Sequence, residues 1–252
     1  MRLKGRVAIV TGGGAGVGEA IALRYAREGA RVVVAEIEPA RGEKVVSAIR
    51  QLGGDALFVQ TDVASEQQIQ TLVETALARF GQIDVLVNNA AVLLAQKESR
   101  AHELTNEVWD RTMNVNLRGY WLCSKYVIPS MLQRGGSIIF IASRTGLRGF
   151  AKLAAYSTSK GGVFALMRSM AVDYAGDHIR VNAIVPGTMD TPMNAAELSD
   201  PRAREKFIAK TPAGRLGIGD DIAGLATFLA SDDAGFCIGG VYMADGGADV
   251  KS

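Results

Sequence analysis

Short runs of apolar and β-branched residues alternate with longer amphipathic stretches along the whole chain, and no other feature limits the fold as much. The short runs lie at residues 7–10, 31–36, 56–60, 84–88, 137–141, 179–185 and 240–244. The amphipathic stretches lie at residues 16–28, 39–52, 65–80, 107–132, 156–174 and 220–229. A short apolar run can also be a piece of buried helix, but the lengths and the Val/Ile content favour strands. The alternation therefore predicts an α/β fold with a doubly wound parallel sheet and helices on both faces.

The size and composition of the chain fit one large α/β domain. It has 252 residues, 48% of them hydrophobic, and no linker interrupts residues 1–252, so a single domain is expected. The net charge of +2, from 28 basic and 26 acidic residues, argues against a nucleic-acid or membrane-surface partner. Residues 188–212 break the alternation with three prolines after a strand, which predicts a substrate lid.

The two cysteines and the N-terminal residues suggest a cytoplasmic location. Cys123 and Cys237 sit among apolar or small residues, as buried thiols do in a reducing compartment. The absence of Cys/His clustering predicts that the protein has no metal site. No signal-peptide stretch follows Met1 and no segment has the length of a membrane span, so a soluble cytoplasmic protein is expected.

A glycine-rich turn joins the first strand to the first helix. Its spacing is G-x-x-x-G-x-G rather than G-x-G-x-x-G. Glycines allow a tight turn and close backbone approach, and a helix N-terminus attracts a pyrophosphate, so the turn predicts a dinucleotide site. Glycine-rich strand ends also occur for packing alone. The predicted contacts in this turn are Gly12, Gly14, Gly16, Val17 and Gly18.

Glu36 ends the second strand, eighteen residues after Gly18. A carboxylate there can accept hydrogen bonds from both ribose hydroxyls of the adenosine and repels a 2′-phosphate. Because residues 12–18 also contain no Arg or Lys, NAD is predicted rather than NADP. A solvated surface glutamate is the alternative interpretation, and nearby Arg41 could soften the preference.

Polar residues follow the third and fourth strands. Asp62 could hydrogen-bond the adenine amine, and Asn89 and Ala90 would lie beside the cofactor, because ligands of doubly wound sheets bind at the carboxyl ends of strands. Turn formation is the alternative explanation for each of them.

Tyr156 and Lys160 stand four residues apart on a predicted helix and therefore share one face. A lysine ammonium favours the phenolate, so Lys160 is expected to lower the pKa of Tyr156 and make it a proton-transfer group. Ser143, thirteen residues earlier, would hydrogen-bond the reacting oxygen. Taken alone, the Tyr-x-x-x-Lys pair could equally be an aromatic at a helix interface. A Ser/His/Asp hydrolase is disfavoured because Ser143 lacks the glycines of a nucleophile elbow.

Together these residues resemble the short-chain dehydrogenase/reductase family in its common form of about 250 residues. The resemblance covers nearly the whole chain, although Ala91 stands where the family normally has glycine after Asn-Asn-Ala. It is carried by Thr11-Gly12-x-x-x-Gly16-x-Gly18, Asp62, Asn88-Asn89-Ala90, Asn116, Ser143, Tyr156-x-x-x-Lys160 and Pro186-Gly187-x-x-x-Thr191.

The resemblance implies a Rossmann-like fold with a seven-stranded parallel sheet and NAD(P)-dependent oxidation of alcohols or reduction of carbonyls. It assigns Tyr156 as acid/base, Lys160 to the nicotinamide ribose, and Asn116 to a water that links Lys160 with solvent. Thr191 and the backbone near Met189 would hold the carboxamide, and transfer of the pro-S hydride is expected. Many members are tetramers built on two long helices, here around residues 107–132 and 156–174. The further cofactor residues implied are Val63, Pro186 and Gly187.

The substrate pocket is expected to be mostly apolar and to fit a small or medium secondary alcohol, ketone or cyclic diol. Arg144, Arg148, Arg202 and Arg204 could recognise an anionic group, although a solvated lid face is the favoured explanation of their charges. The predicted pocket residues are Ser143, Thr145, Leu153, Tyr156, Thr188 and Met193, with Leu93 and Leu94 beside them.

Two classes of function remain after this reasoning. One is an NAD-dependent oxidoreductase that acts on small molecules. The other is an NAD-binding sensor of the same fold without turnover. The intact set of Asn116, Ser143, Tyr156 and Lys160 favours the enzyme.

Overall fold

The computed structural model describes residues 1–251 and contains one seven-stranded sheet. All strands are parallel, in the order β3-β2-β1-β4-β5-β6-β7, which confirms the predicted doubly wound α/β architecture. The strands are β1 Val7–Thr11, β2 Arg31–Glu36, β3 Ala56–Gln60, β4 Val85–Asn88, β5 Gly136–Ile141, β6 Ile179–Pro186 and β7 Val241–Ala244.

Helices cover both faces of the sheet because its central strands are apolar on both sides. Ile9 of β1 packs into the layer that contains α3, α5 and α6, whereas its neighbour Val10 packs into the layer of α1, α2 and α9. The helices are α1 Gly16–Arg27, α2 Pro39–Gln51, α3 Glu66–Phe80, α4 Asn106–Met113, α5 Gly119–Met131, α6 Ala154–Tyr174, α7 Ala195–Leu198, α8 Pro201–Ala209 and α9 Gly219–Ala230.

Local sequence signals set the ends of helix α3. The Ser65 hydroxyl accepts a hydrogen bond from the Gln68 backbone N–H, as the capping pattern predicts. The Gln68 side chain accepts from the Asp62 N–H at 2.7 Å instead of returning to Ser65. Gly81 ends the helix in the left-handed region, with φ 77°.

The prediction of one regular helix over residues 107–132 is wrong in its middle. A turn of π-helix, Asn114–Arg118, joins α4 to α5. The Asn116 side chain in this turn bonds the Val92 backbone and the Ser159 hydroxyl, which are distant in sequence. Helical periodicity does not report such tertiary contacts, which stabilise the wider turn.

The segment at residues 188–212 carries short helices that the sequence reading did not predict. A 3₁₀ turn, Pro192–Asn194, leads into α7, and α8 follows with Asp200 as its N-cap. An isolated parallel bridge between Met189 and Gly217 closes the base of the segment. Its function as a lid stays a prediction.

No helix within residues 1–251 combines the length and apolar character needed to cross a membrane. In the same residues, no group of three or more His, Cys, Asp or Glu side chains is arranged as metal ligands would be. Cys123 and Cys237 are both unpaired; the first is buried as predicted and the second is partly exposed.

Candidate active site

The predicted cofactor and proton-transfer residues meet at the carboxyl edge of the sheet. β1 pairs with β2 on one side and with β4 on the other, so the order of the chain reverses at β1 and opens a crevice there. The Thr11 hydroxyl accepts hydrogen bonds from the backbone N–H groups of Asn89 and Ala90, at 3.0 and 3.1 Å. This contact holds the ends of β1 and β4 together beneath the glycine turn.

The glycine turn is an open cradle at the N-terminus of α1. Gly12 and Gly16 have φ values of 61° and 56°, which L side chains rarely adopt. A Cβ on Gly18 would lie 2.1 Å from the Gly12 carbonyl oxygen, so only glycine fits there. The N-cap residue Ala15 has no polar side chain to cover the first turn of α1. This arrangement suits the pyrophosphate of a dinucleotide.

Glu36 lies at the rim of this cradle and is 7% exposed. Its Oε2 accepts the Gly14 N–H at 3.0 Å, and its Oε1 accepts the Ile37 N–H at 2.9 Å. A side chain at Gly14 would collide with Glu36, because a Cβ there lies 2.7 Å from its Cγ. The carboxylate is therefore fixed in place and is not the solvated surface glutamate of the alternative interpretation.

The polar residues beyond β3 and β4 have structural partners of their own. Asp62 Oδ1 accepts the Ala64 N–H at 2.9 Å, which is a turn contact, and its Oδ2 lies 3.4 Å from Arg111 Nη1. Asn89 Nδ2 donates to the carbonyls of Thr11 and Gly12 at 2.9 and 3.1 Å. Asn89 therefore braces the glycine turn, and the adenine contact of Asp62 stays a prediction.

The opposite wall of the crevice comes from the end of β6 and the start of the 188–212 segment. Pro186 is the last residue of β6, and Gly187 lies against the Asp245 backbone, 2.8 Å from where its Cβ would stand. Thr191 reaches the glycine turn, since a Cβ on Gly16 would be 3.2 Å from the Thr191 Cβ.

The two methionines of the 188–212 segment differ in exposure. Met189 is buried and Met193 is 44% exposed, so the structure encloses only Met189.

Lys160 is almost completely buried and its ammonium has two protein acceptors. The side chain is 2% exposed, and Nζ donates to the Ile141 carbonyl at 2.9 Å and to the Tyr120 hydroxyl at 3.3 Å. Nζ also lies 5.9 Å from the centre of the Tyr156 ring. The predicted pairing of Lys160 and Tyr156 on one helix face therefore exists.

Ser143 stands at the end of a two-residue extension of β5, where its hydroxyl accepts from both Thr145 groups. Thr145 N and Oγ1 lie 3.2 and 3.0 Å from Ser143 Oγ. Since a hydroxyl has two lone pairs and one proton, its proton is left for another acceptor. Thr145, predicted to line the substrate pocket, orients Ser143.

The expected ionisation of Tyr156 is wrong for the protein alone. Burial raises the pKa of the Tyr156 phenol to about 12, although a hydrogen bond from Ser143 opposes the shift. Burial lowers the pKa of Lys160 to about 7. The attraction between the ammonium and the phenolate can be inferred from the Tyr-x-x-x-Lys spacing, but the cost of removing both groups from water depends on burial.

Asn116 is wholly buried and serves as a clamp. Its Oδ1 accepts the Val92 N–H at 2.8 Å, and its Nδ2 donates to the Val92 carbonyl at 2.9 Å and to Ser159 Oγ at 3.2 Å. One lone pair of Oδ1 is left. The water that Asn116 would hold for Lys160 stays a prediction.

Two residues at this site were missed by the sequence reasoning. Tyr120 is 1% exposed and supports Lys160, and its own hydroxyl donates to the Ile141 carbonyl at 3.1 Å. Glu98 accepts from the backbone N–H of Tyr156 at 2.8 Å. Tyr120 lies one helical turn after Asn116, a spacing that could have indicated a shared face. No local pattern singles out Glu98.

Two of the four arginines proposed for anion recognition already have carboxylate partners. Arg148 Nε lies 2.8 Å from Asp249, and Arg204 Nη2 lies 2.5 Å from Asp190. The hydrogen bond from Arg204 holds the pKa of Asp190 below its usual value. Within residues 1–251, Arg144 forms no ion pair, and it directly follows Ser143.

Comparison with known proteins places this chain among oxidoreductases. A family profile described as enoyl-(acyl carrier protein) reductase matches residues 12–249. The cis-4-hydroxycyclohexanecarboxylate dehydrogenase of Sinomonas cyclohexanicum is 41% identical over 96% of this chain and 96% of its own length.

Two solved structures resemble this chain in both fold and sequence. A putative NAD(P)-dependent gluconate 5-dehydrogenase from Beutenbergia cavernae, with NADP bound at low occupancy, superposes with a TM-score of 0.92 and 37% identity, covering 99% of this chain and 98% of that one. Levodione reductase superposes with a TM-score of 0.93 and 34% identity, with both chains fully covered.

Burial of Lys160 predicts a particular dependence of stability on pH. Between pH 7 and 9 the unfolded protein keeps the lysine proton that the folded protein releases, so the free energy of unfolding should rise with pH. Lys160→Met removes this titration, so the free energy of unfolding of the variant should rise less over the same pH range than that of the unmutated protein. Urea unfolding of both proteins at pH 7, 8 and 9 measures the difference. Equal slopes would contradict the lowered pKa.

Proposed function

The chain belongs to the short-chain dehydrogenase/reductase family, and we propose that it transfers hydride between NAD(H) and a small or medium secondary alcohol or ketone. The observation that carries this proposal is the buried pair of Tyr156 and Lys160, with half-buried Ser143, at the sheet edge that also carries the glycine cradle of α1. A buried phenol with a neighbouring cation and a hydroxyl donor is suited to proton transfer at the edge of a dinucleotide site.

The residues of the crevice fit a dinucleotide. The turn from Gly12 to Gly18 would hold the pyrophosphate, Asp62 and Val63 would flank the adenine, and Glu36 would take the ribose hydroxyls. When bound, the nicotinamide ring exchanges hydride with the substrate carbon, and its positive charge favours the phenolate form of Tyr156. NAD is proposed over NADP because the fixed Glu36 carboxylate opposes a 2′-phosphate.

The protein side of the reaction is a proton transfer at Tyr156. In the oxidation direction the phenolate oxygen accepts the proton of the substrate hydroxyl. Ser143, with both lone pairs used by Thr145, donates its proton to the reacting oxygen and stabilises charge there. In its protonated form, the buried Lys160 stabilises the phenolate electrostatically.

A cyclic secondary alcohol or ketone is the proposed substrate class. Leu153 lies just before α6 and Thr188 just after β6, and both are half-buried, as are Leu93 and Leu94 after β4. The relative named for cis-4-hydroxycyclohexanecarboxylate acts on a ring that carries a carboxylate. Arg144 is the residue proposed to meet such an anionic group, since Arg148 and Arg204 are already paired.

Self-association across α5 and α6 is also proposed, with a homotetramer expected. Trp121 is 44% exposed on α5 and lies beside Leu117 and Leu166 in an apolar groove between the two helices. An exposed apolar patch of this kind marks an interaction surface. The cytoplasmic location predicted from the sequence stays a prediction.

Replacing the phenol tests the proton-transfer role. Tyr156→Phe should keep NADH affinity within about twofold and lower turnover by at least about 100-fold, because general acid–base catalysis contributes that much. Turnover is measured by NADH absorbance after a screen of cyclic alcohols and ketones, and affinity by NADH fluorescence. If Tyr156→Phe turned over as fast as the unmutated protein, the proton-transfer role of Tyr156 would be refuted. If the unmutated protein bound nucleotide without any turnover, the proposal that it is an enzyme would be refuted.

Glu36 controls the preference for NAD. Glu36→Ala should raise the affinity for NADP by about tenfold, because removing about 1.4 kcal/mol of repulsion between the carboxylate and the 2′-phosphate corresponds to that factor. Glu36→Gln keeps an acceptor for the Gly14 N–H and removes only the charge, so it should raise the affinity for NADP to a similar extent. Equal use of NAD and NADP by the unmutated protein would contradict the preference.

A charge placed in the α5–α6 groove tests assembly. Trp121→Glu should lower the mass of the assembly in light scattering, because a charge is costly to bury in an apolar contact. Leu52→Glu is the control, since Leu52 is 54% exposed at the end of α2, away from the groove. A monomeric unmutated protein, or a mutant of unchanged mass, would contradict this interface.

A further inference from the structure

We infer that Glu98 is a positioning residue that fixes the backbone of Tyr156; this inference rests on the proposed function, in which Tyr156 transfers the proton. Glu98 lies in the loop between β4 and α4, 58 residues before Tyr156 in the chain. Its Oε1 accepts the Tyr156 N–H at 2.8 Å, and its Oε2 accepts the Ala155 N–H at 3.2 Å. One carboxylate therefore holds two successive N–H groups in the first turn of α6.

Helix α6 needs an external acceptor because its own entry supplies none. Leu153 is the N-cap residue and has no polar side chain, so the first N–H groups of the helix have no local partner. Lys152, just before it, has φ 57°, a left-handed conformation that is unusual for a residue with a side chain. Glu98 supplies the missing hydrogen-bond acceptor in the first turn of α6, which carries Tyr156.

The burial of Glu98 points to a role beyond stability. The residue is 8% exposed, and within residues 1–251 no Lys, Arg or His forms an ion pair with it. Burying a carboxylate without a cation is costly, and here the N–H groups and the dipole of α6 provide the compensation. A neutral cap such as Ser or Thr would satisfy the helix end without that desolvation cost.

The same loop is held to α6 at a second point. Asn116 bonds the Val92 backbone and also Ser159, which is one turn along α6 from Tyr156. Leu94, between the two anchors, accepts the backbone N–H of Glu98 at 2.9 Å and so closes the turn that carries the carboxylate. Glu98 therefore links Leu94, in the predicted pocket wall, to the acid/base residue, so that they keep a fixed separation.

Three variants separate positioning from stability. Glu98→Gln keeps the shape and one acceptor oxygen, Glu98→Ala removes both, and Thr105→Val removes the N-cap of α4 at the far end of the same loop. The measurements are kcat, KM, NADH affinity, the isotope effect on kcat with a deuterated alcohol, and amide hydrogen exchange of peptides that cover residues 154–160. All are made on the full chain.

The expected loss is in turnover and not in cofactor binding. Glu98→Gln should lower kcat by about tenfold and Glu98→Ala by about 100-fold, because small misplacements of a catalytic group cost this much. NADH affinity should stay within about twofold of that of the unmutated protein. The isotope effect on kcat should rise as hydride transfer becomes slower and limits turnover more. Thr105→Val should destabilise the protein without lowering kcat or raising the isotope effect. Kinetics of Glu98→Ala that match those of Thr105→Val would overturn the inference.

Hydrogen exchange tests the contact without relying on turnover. The amides of Ala155 and Tyr156 should exchange at least about tenfold faster in Glu98→Ala than in the unmutated protein and in Thr105→Val, because their acceptor is lost. Unchanged exchange would overturn the role of Glu98 even if the protein proved inactive. An unmutated protein without turnover, but with this change in exchange, would count against the proposed function alone.

Discussion

The burial of the Lys160 ammonium between the Ile141 carbonyl and the Tyr120 hydroxyl is the interaction on which the site depends. Nζ lies 2.9 and 3.3 Å from these two oxygens, and the side chain is 2% exposed. A charge removed from water responds strongly to any other charge placed near it. The same enclosure raises the pKa of Tyr156, so the protein alone holds the proposed acid/base residue protonated. Under the proposed function, cofactor and substrate would therefore meet a site whose ionisation they can shift.

The fold makes this enclosure possible by bringing distant parts of the chain to one edge of the sheet. Ile141 ends β5, Tyr120 belongs to α5 and Lys160 to α6. Behind Tyr120, the Ser124 hydroxyl donates to the Tyr120 carbonyl at 2.7 Å and accepts from Asn88 Nδ2 at 3.2 Å. This buried chain of hydrogen bonds connects the lysine to the end of β4, next to the glycine turn. The carboxyl edge thus positions the glycine cradle, Tyr156 and Lys160 with one set of strands.

The sequence predicted the sheet and its helical layers and indicated most residues of the candidate site, because those depend on local periodicity and on short motifs. Gly18, Glu36, Ser143, Tyr156 and Lys160 can be found in this way. The π turn at Asn116 and the contact from Glu98 to Tyr156 could not be found, since both depend on residues far apart in the chain. The direction of the pKa shift of Tyr156 could not be predicted either, because desolvation depends on burial, which a motif does not report.

The titration of Tyr156 in solution is the most direct test of this account. Tyrosine labelled with ¹³C at Cζ, with the Tyr156 signal assigned by its loss in Tyr156→Phe, gives the pKa of that phenol by NMR. The account predicts a pKa above the ordinary value for tyrosine in the protein alone and a clear decrease when NAD⁺ is added. An ordinary or lowered pKa in the protein alone, or no response to NAD⁺, would contradict it.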